Sequence, residues 1–183
     1  MTFEPTGIDD LVVITPKVFK DDRGYFFESF NLDKFTAHTG LAPNFIQDNQ
    51  AGSVRGVLRG LHYQTGDAAQ AKLVRAIEGE VLDVAVDLRP ASPTFGKSFS
   101  VLLTAENQKQ LFVPRGFAHG YLVLSDWAVF GYKVDNRYAP EREGGVRFDS
   151  PELNIDWPID PSEIILSPKD EILPVFGQHQ PAV

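Results

Sequence analysis

The sequence predicts an all-β protein, a sandwich, jelly roll or barrel that carries only a few short helices. Apolar and polar residues alternate with a period of two in many short runs, as in strands that bury one face. Turn-forming residues separate these runs, and only one segment has the capping residues of a helix. Many short strands at this spacing favour closed or two-layered β architectures.

The predicted strands follow one another along most of the chain. The clearest is the run 81–88, in which the apolar residues at even positions share one face while Asp83 and Asp87 lie on the other. Similar runs are found at 11–14, 24–30, 57–63, 71–77, 98–103, 110–113, 121–124 and 128–134. Glycine-containing turns such as 78–80 and 114–116 separate neighbouring strands.

One helix is predicted, at residues 32–39. Asn31 is a suitable N-cap, and Gly40 can end the helix in the left-handed conformation. The stretch 149–174 is rich in proline and acidic residues, and we expect it to wrap the sheet as irregular chain with short turns. Together with an N-terminal arm, these elements predict a single domain over residues 1–183, with a jelly-roll core at about 20–145.

Composition limits the classes of protein to which the chain can belong. Its 183 residues are 43% hydrophobic and 23% charged, enough to bury about 70% of the unfolded surface. The net charge of −8 argues against nucleic acid or an anionic membrane as a partner. The N-terminus lacks the basic and apolar regions of a signal peptide, and no apolar run is long enough to span a bilayer. We therefore expect a cytoplasmic protein, and the lack of cysteine excludes disulfides.

Three short segments place cationic or proton-active side chains within apolar runs. The first holds Arg59 and His62, the second Lys72, and the third Arg115 and His119. A single histidine in such a setting is more often a hydrogen-bonded core residue than a catalyst, but a core does not collect this much positive charge. Because such groups are costly to desolvate, the three segments predict a polar pocket within the β-structure that holds an anion and moves protons.

Metal and nucleophile chemistry are both disfavoured. A small β-barrel that binds metal usually offers a second ligand two residues after the first histidine, but Gln64 occupies that position after His62. Lys72 would also bring an ammonium group towards the cation. The chain has no cysteine and no serine in a glycine-flanked turn. We therefore expect no metal.

Three features allow two interpretations each. Arg23 belongs either to an exposed edge strand or to an arm whose arginine meets phosphate. The polar run 47–49 is either loop or a set of groups that read a base or a sugar. Asp83 either faces solvent or pairs with His119 or Lys72 inside the pocket, and the second is slightly favoured.

Arg59 and His62 raise a question of strand geometry. They are three residues apart, so a flat strand would point their side chains to opposite faces. Both can reach one pocket only if Gly60 marks a bulge, or if the strand begins after Arg59. We expect one of these two arrangements.

Taken in their order along the chain, the polar segments resemble the dTDP-4-dehydrorhamnose 3,5-epimerase family over roughly residues 5–175. The matching motifs are 21–28, 47–49, 57–62, 70–74, 83–89, 92–96, 114–120, 132–133, Tyr138, Glu143, 156–158 and 166–170. The resemblance implies a cupin-like jelly roll that works as a homodimer without metal and without a cofactor. It also implies an isomerase that inverts C3 and C5 of dTDP-4-dehydro-6-deoxy-D-glucose to give dTDP-4-dehydro-L-rhamnose.

The resemblance further implies a role for individual residues. His62 would be the general base, with Asp170 fixing its tautomer. Tyr132 would be the general acid, Lys72 would stabilise the enolate oxygen, and Tyr138 would stack on thymine. The remaining contacts to the nucleotide sugar would come from Arg23, Glu28, Gln47, Asp48, Asn49, Arg59, His119, Glu143 and Lys169. Of these, Arg23 would serve the site of the neighbouring subunit.

Three alternatives to this double epimerase stay open at the level of sequence. The closest is an epimerase that inverts only C3 or only C5 of a dTDP-4-keto-6-deoxysugar. A metal-dependent cupin enzyme is a second. The third is a non-catalytic module that binds nucleotide sugars, which would need the pocket but would leave His62, Asp170 and Tyr132 far apart.

Overall fold

Two antiparallel sheets pack face to face in the computed structural model, which describes all residues from 1 to 183. This arrangement confirms the predicted all-β jelly roll. In spatial order, the six-stranded sheet contains β1 (Thr2–Pro5), β2 (Val12–Thr15), β10 (Gln110–Val113), β7 (Lys72–Glu78), β12 (Trp127–Val134) and β5 (Gln47–Val54). The five-stranded sheet contains β13 (Glu143–Gly145), β6 (Leu58–Gln64), β11 (Phe117–Val123), β8 (Glu80–Asp87) and β9 (Ser98–Thr104).

The remaining elements are short. β3 (Val18–Asp21) and β4 (Gly24–Phe27) form a separate two-stranded hairpin. The helices are α1 (Leu32–Thr39) and α2 (Pro168–Glu171), with single 3₁₀ turns at Gly66–Ala68, Pro140–Arg142, Pro151–Leu153 and Pro161–Glu163. Neither α-helix has the length and apolar character needed to cross a membrane.

The main hydrophobic core fills the space between the two sheets. Its side chains include Val74 and Phe130 from the six-stranded sheet and Val81 and Val123 from the five-stranded sheet, all almost fully buried. Such alternating inward-facing apolar residues are what join two sheets into a sandwich. The functional cavity described below opens within this same interior, so its polar residues are held by the packing of both sheets.

The chain after β13 covers the outer face of the five-stranded sheet. Val84 and Val86 of β8 pack there against Val146, Leu153 and Ala182. The prediction that residues 149–174 wrap the sheet as irregular chain is therefore confirmed, and β8 is buried on both faces along most of its length. This covering layer matters for function because it carries α2 to the mouth of the interior.

Helix α1 has the predicted bounds and caps. The side chain of Asn31 accepts a hydrogen bond from the backbone N–H of Lys34 at 3.0 Å, and Gly40 has a φ of 73°. Its single buried residue, Phe35, packs on Leu73 and Phe112 at the outer face of the six-stranded sheet. The two caps fix where the helix begins and ends, and the buried Phe35 holds it against the sheet.

Four strands were not predicted, and β5 is the most important of them. Residues 47–54 include few strand-forming side chains, yet all eight pair with β12, from Gln47 opposite Val134 to Val54 opposite Trp127. Pairing with a strong neighbour outweighs weak intrinsic propensity here. The others are β1, β3 and β13; because β1 and β2 precede residue 20, the six-stranded sheet begins earlier than the expected core boundary.

A bulge in β6 resolves the geometry of Arg59 and His62. His62 is opposite His119, but Arg59 is opposite Tyr121, so β6 has two intervening residues where β11 has one. Gly60 occupies the bulge with a φ of +128°, and a Cβ atom there would lie 2.6 Å from Cα of Gly120. The first of the two predicted arrangements is confirmed, and it lets both side chains face one interior.

Candidate active site

The polar interior consists of two adjoining cavities between the sheets. One has a volume of about 380 Å³ and the other about 320 Å³. Because His62, Lys72 and Tyr132 line both, the cavities form one continuous site. The predicted site residues found along its walls are Gln47, Asn49, Arg59, His62, Lys72, His119, Tyr132, Tyr138, Glu143, Lys169 and Asp170.

The two sheets contribute different chemical groups to this site. His62 on β6 and His119 on β11 enter from the five-stranded sheet. Lys72 on β7 and Tyr132 on β12 enter from the six-stranded sheet. A flat ring held between the sheets would therefore meet an imidazole on one side and a phenol on the other.

His62 forms a short side-chain contact with Asp170 in the cavity. Nε2 of His62 is 2.5 Å from Oδ1 of Asp170, whose side chain is almost fully buried. Asp170 lies on α2, where Ser167 caps the helix by accepting a hydrogen bond from the Asp170 N–H at 3.2 Å. When Nε2 donates to the carboxylate, Nδ1 has the free lone pair of a base.

The carboxylate of Asp170 is kept in its ionised form. Burial raises its pKa, but the hydrogen bonds from His62 and from the Ser167 and Gly60 region outweigh burial and leave the pKa below its ordinary value. An ionised carboxylate can stabilise positive charge on an imidazole that it contacts.

A second histidine–carboxylate pair lies deeper in the site. Nε2 of His119 is 3.0 and 2.9 Å from the two carboxylate oxygens of Asp83, and both side chains are buried. Burial lowers the pKa of His119, although Asp83 opposes the shift. The favoured interpretation of Asp83, that it points into the pocket and pairs with His119, is therefore confirmed.

Lys72 and Arg59 are cations of the cavity that form no ion pair. Burial lowers the pKa of Lys72 to about 8, with the charges of Asp83 and Glu143 acting in the opposite direction. Lys72 therefore keeps its charge at neutral pH without neutralisation by a close carboxylate. Arg59 donates from Nε and Nη2 to the hydroxyl of Ser53, at 3.2 and 3.1 Å. These two groups give the site a capacity for anionic ligands that the net charge of the chain does not reveal.

Aromatic rings form one wall of the main cavity. Tyr121 stacks on Phe130 with ring centroids 4.0 Å apart, and Phe130 lies 6.3 Å from Tyr132. Burial raises the pKa of Tyr132, and the positive charge of Arg59 only partly opposes this. At neutral pH the Tyr132 phenol is therefore protonated and able to donate.

The second cavity has a polar rim. Tyr138 is exposed and donates from its hydroxyl to Oε2 of Glu143 at 3.0 Å, while Lys169 pairs with the other oxygen of Glu143. Burial raises the pKa of Glu143, but the hydrogen bonds from Lys169 and Tyr138 outweigh it and leave the pKa lowered. On the facing side, Nε2 of Gln47 donates to Oδ1 of Asn49 at 2.8 Å.

Three predicted site residues lie outside the cavities within one chain. Asp48 is on the opposite face of β5 from its neighbours and pairs with Lys133 at 2.8 Å, because side chains alternate along a strand. Glu28 turns towards α1, where it pairs with Lys34 at 2.6 Å. Arg23 lies at the tip of the β3–β4 hairpin with its side chain 90% exposed, which is where an arm would present it.

Several residues at or near the cavity were not found from the sequence, among them Tyr121, which lines it, and Ser53, which holds Arg59. Tyr121 lies two residues after His119 on β11, so strand alternation alone could have placed both on one face. Ser53, which holds Arg59, shares a face of β5 with Gln47 and Asn49. It was missed because β5 itself was not recognised as a strand.

Comparison with known proteins gives a consistent result. The family model for dTDP-4-dehydrorhamnose 3,5-epimerase matches residues 5–178. The dTDP-4-dehydrorhamnose 3,5-epimerase of Escherichia coli strain K12 is 53% identical over 168 residues, which cover 92% of this chain and 90% of that protein.

Solved structures agree with the sequence match. The crystal structure of dTDP-4-dehydrorhamnose 3,5-epimerase from Elizabethkingia anophelis has a TM-score of 0.93 at 54% identity and covers 96% of each chain. A dTDP-6-deoxy-D-glucose-3,5-epimerase from Legionella pneumophila, solved in complex with dTDP-4-keto-L-rhamnose, has a TM-score of 0.91 at 46% identity. That match covers 95% of this chain and 92% of the other.

Proposed function

This chain belongs to the dTDP-4-dehydrorhamnose 3,5-epimerase family, and from that membership we propose how its cavity performs the reaction. The protein is an isomerase that inverts C3 and C5 of dTDP-4-dehydro-6-deoxy-D-glucose to give dTDP-4-dehydro-L-rhamnose. The observation that carries the proposed mechanism is that His62 and Tyr132 enter one cavity from opposite sheets, beside the unpaired ammonium group of Lys72.

The substrate dictates what the site must do. Its ketone at C4 acidifies the hydrogens on C3 and on C5, since removal of either leaves an enolate. In the D-gluco configuration both hydrogens project from the same face of the ring. One base can therefore reach both carbons, provided that a proton is returned to each from the other face. No electrons leave the substrate, so the reaction needs no redox partner.

We assign the base to His62 and the acid to Tyr132. The 2.5 Å contact with Asp170 orients the imidazole and stabilises its protonated form, while Nδ1 has no protein partner. Tyr132, on the facing sheet, is a neutral phenol that can return a proton to the opposite face. Proton transfer by a positioned group typically accelerates a reaction by about 10²–10⁴-fold.

Lys72 stabilises the enolate in this mechanism. Its ammonium group is held in a largely buried setting without an ion pair, so its charge is available to the oxygen on C4. Preorganised charge at a developing oxyanion is typically worth about 3 kcal/mol. The buried His119–Asp83 pair lies beside it and supplies a second hydrogen-bonding side chain to the sugar pocket.

The rest of the site serves the nucleotide. Arg59 is placed to form the forked hydrogen bonds that a guanidinium makes with phosphate. The exposed ring of Tyr138 offers a surface for the thymine base, beside Glu143 and Lys169. Gln47 and Asn49 present amides to the same cavity.

A homodimer completes the proposal. The β3–β4 hairpin stands apart from both sheets, and Phe26 at its surface is 69% exposed, with Phe19 and Tyr25 also exposed. Isolated hairpins are marginally stable, and exposed aromatic patches usually mark interfaces. We propose that the hairpin packs on a second copy and that Arg23 reaches the phosphates in that copy's site.

Cytoplasmic location stays a prediction from the sequence.

The alternatives are less well supported. A non-catalytic module would leave the proton-transfer groups apart, whereas His62 contacts Asp170 and shares its cavity with Tyr132. A metal-dependent cupin enzyme needs a cluster of at least three His, Cys, Asp or Glu side chains able to hold the ion, and the chain has no such group. Activity that survives chelation, with no metal found on analysis, would dismiss that alternative.

The decisive experiment follows the substrate by NMR in D₂O. Wild-type protein is expected to exchange two carbon-bound hydrogens, at C3 and C5, and to give the L-rhamno product. Exchange at only one carbon would indicate an epimerase of a single centre. No exchange at either carbon would overturn the proposed function.

A further inference from the structure

The buried amide of Gln64 lies at the second cavity, and the mechanism above gives it no part. Gln64 follows His62 by two residues on β6, and both line this cavity. The residue is 6% exposed, and buried polar side chains are almost always hydrogen-bonded. Its oxygen Oε1 accepts a hydrogen bond from the backbone N–H of Ala139 at 2.8 Å. Gln64 therefore connects β6 to a segment that lies outside both sheets.

The connected segment, residues 137–139, carries Tyr138 and has no regular secondary structure. The N–H of Ala139 is its only backbone group that is hydrogen-bonded to a strand, since the N–H of Arg137 donates to the adjacent Asn136 side chain. The Ala139 N–H belongs to the peptide bond that directly follows Tyr138. The hydrogen bond to Gln64 therefore fixes the backbone from which the Tyr138 ring projects.

The ring of Tyr138 depends on few other contacts for its position. Tyr138 is 54% exposed, and the one hydrogen bond of its side chain is to Glu143 on β13. Glu143 is directly opposite Gln64 in the ladder between β13 and β6. The backbone and the hydroxyl of Tyr138 are therefore both anchored at one point of β6, which is Gln64.

We propose that Gln64 is a positioning residue for the base, which holds the ring of Tyr138 in the orientation that stacks on thymine. A ring that is already held loses less conformational freedom when the ligand arrives, and affinity is higher for that reason. This inference rests on the proposed function, in which Tyr138 binds the base. Gln64 acts through Tyr138 and has no role at the reacting carbons.

Gln64→Met tests the proposal because it keeps the length of the side chain and removes the acceptor for Ala139. The dissociation constant for thymidine diphosphate is expected to rise roughly fivefold, the equivalent of one hydrogen bond. The dissociation constant for pyrophosphate, which has no base, should not change. In steady-state kinetics KM should rise while kcat stays level, because contacts to the base are the same in the ground state and the transition state. Unchanged affinity for thymidine diphosphate, or a loss confined to kcat, would overturn the proposal.

Gln108→Met is the matched control for loss of a buried amide. Gln108 is 7% exposed and lies between β9 and β10, where its Nε2 donates to the carbonyl oxygen of Ala105. It lines neither cavity of the site. Its variant should therefore melt at a lower temperature, with its affinity for thymidine diphosphate unchanged. Equally weakened binding in both variants would mean that loss of any buried amide disturbs the site, and would also overturn the proposal.

A double-mutant cycle separates this inference from its premise. Tyr138→Ala should weaken thymidine diphosphate binding, and adding Gln64→Met should then have no further effect, because Gln64 acts only through the ring. If Tyr138→Ala leaves the affinity unchanged, the proposed role of Tyr138 itself fails, and this inference fails with it. If Tyr138→Ala weakens binding but Gln64→Met costs the same in both backgrounds, only the role of Gln64 fails.

Discussion

Asp170 reaches His62 from a distant part of the chain, on the four-residue helix α2. The residues are separated by 108 positions, and the capping hydroxyl of Ser167 fixes the helix that brings them together. In the proposed mechanism, function at this scale depends on a single contact, because one carboxylate orients the imidazole that takes up the proton.

Asp170→Asn should lower kcat/KM by roughly 10²–10⁴-fold while the fold is retained. The amide keeps the shape of the side chain but removes the charge that stabilises protonated His62. Steady-state kinetics with circular dichroism would measure this. Asp149→Asn, which removes a carboxylate paired with Arg147 at the surface, is the control and should leave kcat/KM unchanged. Equal losses in both variants would contradict a specific role for Asp170.

Lys72 predicts a particular pH dependence. A lysine is charged below its pKa, and burial lowers the pKa of Lys72 to about 8. The stabilisation of the enolate should therefore be present at neutral pH and disappear as the pH rises through about 8, which kcat/KM of the free enzyme reports.

The matched variant is Lys72→Arg, since guanidinium keeps its charge throughout this range. Its remaining activity should show no decline near pH 8, the pKa of Lys72 in the wild type. A wild-type profile that stays level up to pH 10 would contradict the role assigned to the ammonium group.

The sequence was informative about single residues only where their chemistry conflicted with their surroundings. His62, Lys72 and His119 stood out because charged groups are costly in apolar strands. Asp170 could be paired with His62 only through the family resemblance, since nothing local connects them. Tyr121 was missed because aromatic residues are common in strands, so its presence in an apolar strand did not stand out.

At the scale of elements, the bulge in β6 is what places Arg59 and His62 in one cavity. Its geometry requires glycine at position 60, where φ is +128° and an added Cβ would lie 2.8 Å from the carbonyl oxygen of His119. Gly24 has the same φ of +128°, but an added Cβ would meet nothing within 4 Å. Alanine substitutions at Gly24 and at Gly60 therefore distinguish the cost of the backbone conformation, which both share, from the cost of steric crowding, which only Gly60 has.

Gly24→Ala should lower the free energy of unfolding by about 1–2 kcal/mol, the usual cost of this backbone conformation in a residue with a Cβ. Gly60→Ala should cost at least about 2 kcal/mol more, because two strands must move apart. Urea unfolding at one protein concentration would measure both. Equal destabilisation would mean that the close approach of β6 to β11 is not required for stability.

Elements were predictable from sequence when their local signals agreed. Helix α1 has the predicted bounds because Asn31, Gly40 and one buried aromatic all indicate the same segment. Strand β5 could not be predicted, because its polar residues become a strand only by pairing with β12. The bulge at Gly60 was one of two expected arrangements, because two side chains of opposite parity were required to share a pocket.

At the scale of the whole molecule, the segments that cover the outer faces of the sheets are distinct from the polar groups of the site, which lie between the sheets. The C-terminal segment covers one sheet and α1 covers part of the other, so the interior between the sheets is free to hold polar groups. The hairpin with Arg23 is covered by neither and shows three exposed aromatic side chains. A second copy is the partner that the proposed mechanism requires.

Subunit mixing tests this arrangement. Arg23→Ala and His62→Ala dimers should each have low activity, but a mixed dimer contains one intact site if Arg23 acts in the neighbouring subunit. Equal mixing should restore about a quarter of wild-type activity, since half of the dimers are mixed and each has one intact site. A mixture of His62→Ala and Asp170→Asn should restore none, because both changes affect the site of their own chain. No recovery in the first mixture would contradict the exchange of arms.

The central claim is that His62 takes protons from one face of the sugar and Tyr132 returns them to the other. Hydrogen exchange at C3 and C5, measured by NMR in D₂O for His62→Ala and Tyr132→Phe, tests it most directly. His62→Ala should lose exchange at both carbons, whereas Tyr132→Phe should still exchange hydrogens but form little inverted product. Exchange that persists without His62, or equal loss of exchange and inversion in Tyr132→Phe, would contradict the claim.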